Sequence, residues 1–549
     1  MISHGAAGLF LPLFALASGG LRNPWAFTLA ALFLWGAASR SRLPRIPFAP
    51  LWGAWLAWSA FSAVTSAEPW RGLSDLAYRV AGLGIFSLAL NATEEDKKSW
   101  RLIALAAFPL IEICAILISI ESYPNTGVLY PYYNYTGAVA AVGAAFGLAS
   151  TFSKEEGESP LAILCTLASW GWLLWAGSRG GLLAASVGSI FVLMRCEKKW
   201  VAGTFAGICA VGFLGLFLTG SPILKLHKME SNLRPQLWTS AIKIANDSPI
   251  LGEGPGQFDR GFLRHNFPAP KGTGLTRYGR VSAHAHSELL QEAAETGWPG
   301  AFLLAIAILA TLGGAWTRKR PDAGALGGAF ALLTQGLFDN IFALPALEWM
   351  FFSFLGAASA SEDESKIQFP PAWVVAGIML SSVAWWPRWF VNSARTQATG
   401  ISILRAVSIT PKDHRLWADL ARINLKNGDA RRTVSSLEIA SRLHPTEAVY
   451  PLMIAQIAWT HKNWKAVLRI TDRVLQLEPT APQPRLLRAY ALLELKRNDE
   501  ARFEFELFKK VAQPLPTIAP YGPNVRFILG HEAKLRRAIQ KRLNPSLPQ

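Results

Sequence analysis

The sequence predicts an all-α protein in two parts: a polytopic transmembrane bundle of about thirteen spans and, after it, an α-solenoid of helical repeats. Three observations predict it. Apolar residues make up 51% of the 549 residues and charged residues only 17%, which excludes an ordinary soluble enzyme. The apolar residues fall in bilayer-length blocks from near the start to about residue 390. Beyond the blocks, Pro411, Pro445 and Pro479 recur at a spacing of 34 residues, each followed by a helical pattern.

In chain order, apolar spans fall near residues 5–20, 23–38, 48–66, 72–90, 101–120, 133–152, 159–176, 179–194 and 200–219, then 297–316, 322–342, 344–360 and 371–389. The segment from Met1 to Gly20 lacks the basic start of a cleaved signal peptide and reads as the first span. Inside the fourth, Asp75 and Arg79 stand one helical turn apart and are expected to neutralise each other on a protein-facing side. The blocks divide the chain into N-terminal membrane helices (1–219), a long loop (220–296), C-terminal membrane helices (297–390) and the repeat domain (391–549).

Alternate connections differ in charge. One set holds Arg40, Arg42 and Arg45; Lys97, Lys98 and Arg101; Lys154; Arg195, Lys198 and Lys199; Arg318, Lys319 and Arg320; and Lys366. Basic loops stay in the cytoplasm, so this set is expected inside. The other set has only Arg22, Arg71 and Arg179 in its short loops and includes the long stretch from Gly220 to Glu288, so it is expected on the periplasmic or outer side. Parity puts the repeat domain on that face too, after a span that closes with Trp385, Trp386 and Trp389 as an interfacial belt.

The formal charge of +17 raises the question of a nucleic-acid partner. The basic residues, however, lie in short loops and across the repeats, so membrane orientation and a solvated basic surface account for them and no nucleic acid is expected. Cys114, Cys165, Cys196 and Cys209 all lie in or beside apolar spans, which leaves no disulfide framework or zinc-cysteine site. In the repeats the turns also recur, as Lys-Asn-Gly-Asp at 426–429, His-Lys-Asn-Trp at 461–464 and Lys-Arg-Asn-Asp at 496–499. The 34-residue period is that of the tetratricopeptide repeat. Stacked pairs of this kind either bind a protein or peptide in a groove or brace the membrane domain, and both readings stand at this point.

The external residues carry an unusual cluster. Ser178-Arg179-Gly180-Gly181 opens a span; Arg234-Pro-Gln-Leu-Trp238 begins a helix-like segment; Pro249-Ile-Leu-Gly-Glu-Gly-Pro-Gly-Gln-Phe258 follows; and His284-Ala-His286-Ser-Glu-Leu-Leu-Gln291 runs to Glu295-Thr-Gly-Trp-Pro-Gly300. This order resembles the O-antigen ligase family, which includes O-antigen polymerases and some protein O-oligosaccharyltransferases. The resemblance covers roughly residues 70–360, and Ser287 stands where many relatives carry Asn. It implies a bacterial inner-membrane glycosyltransferase with a periplasmic catalytic loop at 220–296, a metal-independent transfer and no cofactor.

The residues support that reading separately. Arginine presents a planar fork that binds phosphate with two parallel hydrogen bonds and never loses its charge, so Arg179 at a span terminus and Arg234 suit a lipid-linked pyrophosphate at the interface; snorkelling is the bland alternative for Arg179. Arg277 and Arg280 add to a substrate-binding set with His284 and Trp238, although loop solvation also explains the two arginines. His286 is the expected general base, because an imidazole titrates near neutrality and can take a proton from an attacking hydroxyl. With His284, His265 and His227 it suggests zinc, but no carboxylate or cysteine falls at ligand spacing. Gly252, Gly254 and Gly256 are no dinucleotide fingerprint, since Gln257 takes the last glycine position, and a tight re-entry turn near the head groups is expected there. For Asp339-Asn340 helix capping is expected rather than sugar contact.

The expected substrates are a polyprenyl pyrophosphate-linked glycan and a surface glycan, lipid or protein acceptor. A polymerase and a protein glycosylase share this chemistry. A non-enzymatic transporter or envelope assembly scaffold is the reading from another class; it calls for ionisable residues deep in the spans, where Asp75, Arg79 and Glu112 are the ones visible.

Overall fold

The computed structural model describes residues 4–17, 24–39, 42–44, 46–119, 133–152, 160–219, 233–267, 282–318, 322–360, 366–368, 377–381, 385–511 and 523–543. The chain forms two compact units, one of residues 1–234, 245–256 and 284–386, the other of residues 235–244, 257–283 and 387–549.

The first unit is built from apolar helices. They are α1 (His4–Ala17), α2 (Pro24–Ser39), α3 (Ala49–Thr65), α4 (Pro69–Leu90), α5 (Glu94–Ser119), α6 (Tyr133–Thr151), α7 (Pro160–Ala176), α8 (Arg179–Arg195) and α9 (Lys199–Leu218), then, after α10 (Arg234–Asp247) and α11 (Phe258–His265) of the long loop, which fall mostly in the second unit, α12 (Glu288–Trp316), α13 (Ala323–Phe338) and α14 (Pro345–Ser359). Every expected span up to residue 360 falls on one of these helices. By length and composition α4, α9 and α12 can each cross a membrane, and shorter apolar helices lie around them. Of the last expected span, 371–389, residues 377–381 and 385–389 are described and helical, and the others lie outside the described residues.

Helices in a bilayer gain nothing from hiding apolar surface from lipid, so they associate by close packing of small residues. Here Gly188 of α8 meets Gly327 of α13 so closely that a Cβ on Gly188 would fall 2.8 Å from the Gly327 carbonyl, with Ala145 of α6 and Ala331 filling the sides. Aromatic rings fill the other seam, where Trp52 meets Phe86 and Phe352 edge to face and those two rings tilt against each other. In contrast α9 buries only Ala202 and leaves Val211, Leu214, Phe217 and Leu218 exposed, as a lipid-facing helix would.

Two loops of the basic set are joined by backbone pairing: Arg42–Pro44 runs antiparallel to Lys366–Gln368, with Leu43 opposite Ile367. Apart from this short ladder the described elements are helices, as the all-α class expects. Arg195 also donates to the Arg318 carbonyl at 2.6 Å, so further members of that set meet at one end of the bundle. The span expected from residue 297 is the later part of a helix that begins at Glu288 and kinks at Gly297.

The second unit contains α15 (Trp385–Gln397), α16 (Gly400–Ile409), α17 (His414–Lys426), α18 (Ala430–Leu443), α19 (Val449–Thr460), α20 (Trp464–Leu477), α21 (Pro482–Glu494), α22 (Asn498–Val511) and α23 (Pro523–Leu543). From α17 to α22 the helices form consecutive antiparallel pairs whose backbone repeats. Gly428, Lys462 and Lys496, 34 residues apart, all take left-handed conformations, and Asp429, Asn463 and Arg497 each donate their backbone N–H at 2.9 Å to the carbonyl five residues back. Asp429 and Asn463 then cap α18 and α20 with their side chains. The pairs bury apolar side chains against their neighbours, including Leu437, Leu486 and Phe505.

Candidate functional site

The site forms where the start of α12, the end of α13 and the start of α10 meet. Ser287 is the N-cap of α12, and its side chain caps nothing. Instead Gln291, one turn into the helix, folds back to accept the Ala285 N–H at 2.7 Å. That pins the entry to α12 and holds His286 in a left-handed conformation, φ 54°, which a histidine tolerates better than most side chains do.

The His286 ring lies 2.9 Å from Asp339, Nδ1 to Oδ1, with 35% of its side chain exposed. Asp339 ends α13 and is 2% exposed. Its second oxygen accepts a hydrogen bond from Arg234 Nη2 at 2.9 Å, and its first also accepts the Asn340 N–H at 3.0 Å. A carboxylate at a helix C-terminus sits at the negative end of the dipole, so it requires cationic or donor partners. His286 and Arg234 supply them. With Nδ1 donating to Asp339, Nε2 carries the lone pair of the imidazole and is the atom that accepts a proton. The turn that carries Asp339 is itself held: Glu288 accepts the Phe342 N–H at 2.6 Å, and Asn340 donates to the Tyr135 hydroxyl at 3.4 Å.

Arg179 is the first residue of α8, after Ser178, whose hydroxyl accepts the Gly181 N–H. A Cβ on neighbouring Gly180 would fall 3.1 Å from Gln335 Oε1, one helical turn before Asp339. Arg179 therefore opens α8 beside the end of α13 that carries Asp339. His284 is half-buried two residues before His286. Trp238 lies on α10 one turn beyond Arg234, and Trp238 and His265 belong to the second unit. Arg277, Arg280 and His227 lie outside the described residues.

The glycine-rich run and the end of the histidine motif interlock. Glu253 and Gly254 donate their N–H groups to the carbonyls of Ala294 and Glu295 at 3.0 and 2.8 Å, and Trp298 donates to the Pro249 carbonyl at 2.9 Å. Glu295 also accepts the Gly256 N–H at 2.9 Å and a hydrogen bond from Gln291 at 2.7 Å. Gly252 and Gly297 both have positive φ, and a Cβ on either would fall 2.3 Å from the opposing backbone. The glycines thus let two strands of backbone touch at the kink of α12, and the run itself turns tightly as expected, with Gly252, Gly254 and Gly256 all at positive φ.

Below the kink lies a buried cation. Arg79 donates to Asp75 at 2.8 Å as expected, and also to Glu292 at 2.7 Å and Ser59 at 2.9 Å. Glu292 further accepts from Trp55 and Thr296, each at 2.9 Å. A single carboxylate oxygen thus ties α12 to α3 and α4 and neutralises the arginine where water is excluded.

Sequence reasoning missed Asp339 as a hub, whose carboxylate holds His286 and Arg234 where helix capping was expected. It missed Glu292 too, although Glu288, Glu292 and Glu295 stand at helical spacing on one face of α12.

Residues 164–305 match the model of a family described as O-antigen ligase. The matched stretch contains Arg179, Arg234, the glycine-rich run and His286, and ends before Asp339. No curated protein matches the chain.

Proposed function

We propose that the chain is a multi-pass membrane glycosyltransferase of the O-antigen ligase kind, which moves a glycan from a polyprenyl pyrophosphate carrier to an acceptor hydroxyl. The observation that carries this reading is the pairing of His286 and Arg234 on one buried carboxylate, Asp339, with Arg179 opening the adjoining helix.

In this mechanism the acceptor oxygen attacks the anomeric carbon as His286 Nε2 takes its proton, and the bond from that carbon to the pyrophosphate oxygen breaks with inversion. The bonding pair leaves on the pyrophosphate. Asp339 keeps the imidazole in the accepting tautomer and balances its charge once protonated. Arg179 and Arg234 bind the pyrophosphate through their planar guanidinium forks and stabilise the charge it gains. Pyrophosphate is a good leaving group, so no strong general acid is required and the residues do the work without a metal or cofactor. Arg277, Arg280, His284 and Trp238 complete the proposed substrate contacts.

The site faces the periplasm of a bacterial inner membrane in this reading. The basic loops at the opposite end of the bundle, where Arg195 meets Arg318, support that side under the positive-inside rule. The 34-residue backbone period supports a tetratricopeptide array for the second unit.

The test is transfer by the purified protein with a polyprenyl pyrophosphate-linked glycan. His286→Ala is expected to abolish transfer with membrane insertion intact, and an active, normally inserted variant removes His286 from the mechanism. Deleting the gene then sorts the acceptor by the product lost: capped lipopolysaccharide, long glycan chains or glycosylated protein. A transporter reading draws on the buried Arg79, Glu292 and Glu348 within α4, α12 and α14; substrate uptake into vesicles without turnover would favour it.

A further inference from the structure

The long loop is not wholly part of the unit that holds His286. Residues 257–267 leave the glycine-rich run at Gly256 and fold within the second unit, against the helical array. Arg260 Nη2 donates at 3.0 Å to the carbonyl of Leu443, the last residue of α18, and Arg260 is only 9% exposed. Carbonyls at a helix C-terminus lack partners within the helix and attract cations, so the guanidinium satisfies one of them. Asn266 Nδ2 donates at 3.1 Å to Glu478 Oε1, and both residues are buried. Glu478 is the C-cap of α20, 34 residues beyond His444, the C-cap of α18.

The two anchors therefore fall on neighbouring equivalents of the array. Arg260 lies within α11 and Asn266 directly follows its last residue, His265, so one short helix carries both anchors. The rest of the segment is shaped for burial. Phe258 and Phe262 are buried and stack on each other, and Phe267 meets Phe262 edge to face. Ser240 of α10 accompanies them by donating to the His265 carbonyl at 2.7 Å, closing the C-terminus of α11. Asp259 adds to the negative field around Glu447, in the turn between the same two repeats.

We propose that residues 257–267 are the resident peptide ligand of the helical array, and that the array serves to anchor the loop that runs on to His284 and His286. Of the two readings open to such an array, it braces its own chain at this surface and does not hold it open for a foreign protein. Arg260 and Asn266 are positioning residues. They act on transfer through the loop, a consequence that rests on the glycosyltransferase reading; the anchoring does not.

The test uses the full-length protein in lipid nanodiscs. In the double variant Arg260→Ala with Asn266→Ala, backbone amides of residues 260–265 are expected to exchange with solvent at least tenfold faster, while those of α19 and α21 keep their rates. Glu478→Gln keeps an oxygen acceptor and is expected to retain the protection that Glu478→Ala loses. Unchanged exchange at 260–265 overturns the anchoring, and so does loss spread evenly through the array, which would make the segment an ordinary part of its fold. In the transfer assay the double variant is expected to lose about tenfold in kcat with KM for the lipid-linked donor within twofold. Faster exchange with full kcat overturns the positioning role. A wild type without transfer rejects the proposed function instead, and the exchange data still decide the anchoring.

Discussion

Asp339→Asn is the substitution from which most is learned, because it keeps the size of a side chain whose two oxygens serve two different donors. In the wild type Oδ1 faces His286 Nδ1 and Oδ2 faces Arg234 Nη2, each at 2.9 Å, with the carboxylate 2% exposed. An amide has one oxygen, so its NH2 group must point at one of these donors. Pointed at His286, it favours the tautomer with the proton on Nε2, where no proton can then be accepted. Pointed at Arg234, it sets two donors face to face and releases the guanidinium. Either way a charge-assisted hydrogen bond is lost, and hydrogen bonds to charged groups contribute roughly 1.5–3 kcal/mol. At 1.36 kcal/mol per tenfold that corresponds to a fall in kcat of about 10- to 150-fold. The assay is single-turnover release of polyprenyl pyrophosphate by purified protein in nanodiscs, with thermal unfolding run alongside. A kcat within twofold of wild type, in a variant that unfolds normally, would refute the role assigned to Asp339.

Arg179→Lys and Arg234→Lys keep the charge and lose the fork, so each is expected to cost roughly tenfold or more in turnover; unchanged turnover in both rejects the pyrophosphate clamp. Gly297→Ala puts a methyl group 2.3 Å from the Ile250 carbonyl at φ 76° and is expected to destabilise the first unit by about 2–4 kcal/mol, read as a lower unfolding temperature. Arg79→Met leaves Glu292 and Asp75 without their cation and should cost about 3–5 kcal/mol; the further change Glu292→Gln should recover part of it. Burial pushes the Glu447 carboxyl up to about 7 from the ordinary 4.5, with Glu478 and Asp259 adding and the Val449 N–H opposing. The folded state therefore holds a proton that the unfolded state releases, so stability of the second unit should fall as pH rises from about 4.5 to about 7, by up to about 3 kcal/mol, and level off above. Glu447→Gln should flatten that dependence in unfolding measured against pH.

The spans were legible because apolar runs of bilayer length have few other uses, and the repeat because Gly428 marks a turn that returns 34 residues later. Lys462 and Lys496 occupy the same left-handed position, a cost for lysine that the surrounding hydrogen bonds impose and that composition would not suggest. The Asp75 and Arg79 pair was visible because its partners lie one turn apart; Glu292 was not, since it lies 213 residues from Arg79. The same holds for Asp339, which joins residues 53 and 105 positions away. Its one local signal is a carboxylate placed directly after the C-terminus of a helix, the wrong end of the dipole for an anion. The glycine-rich run announced a tight backbone, but its partner, the kink at Gly297, became evident only when the two segments were seen to touch. Both are parts of stretches that the resemblance had already singled out.

The most direct test of the proposed chemistry follows the donor. Purified wild-type protein in nanodiscs, given a polyprenyl pyrophosphate-linked glycan and an acceptor, is predicted to release free polyprenyl pyrophosphate in step with glycosylated product, and His286→Ala to release neither. Equal release by the two proteins would contradict the account.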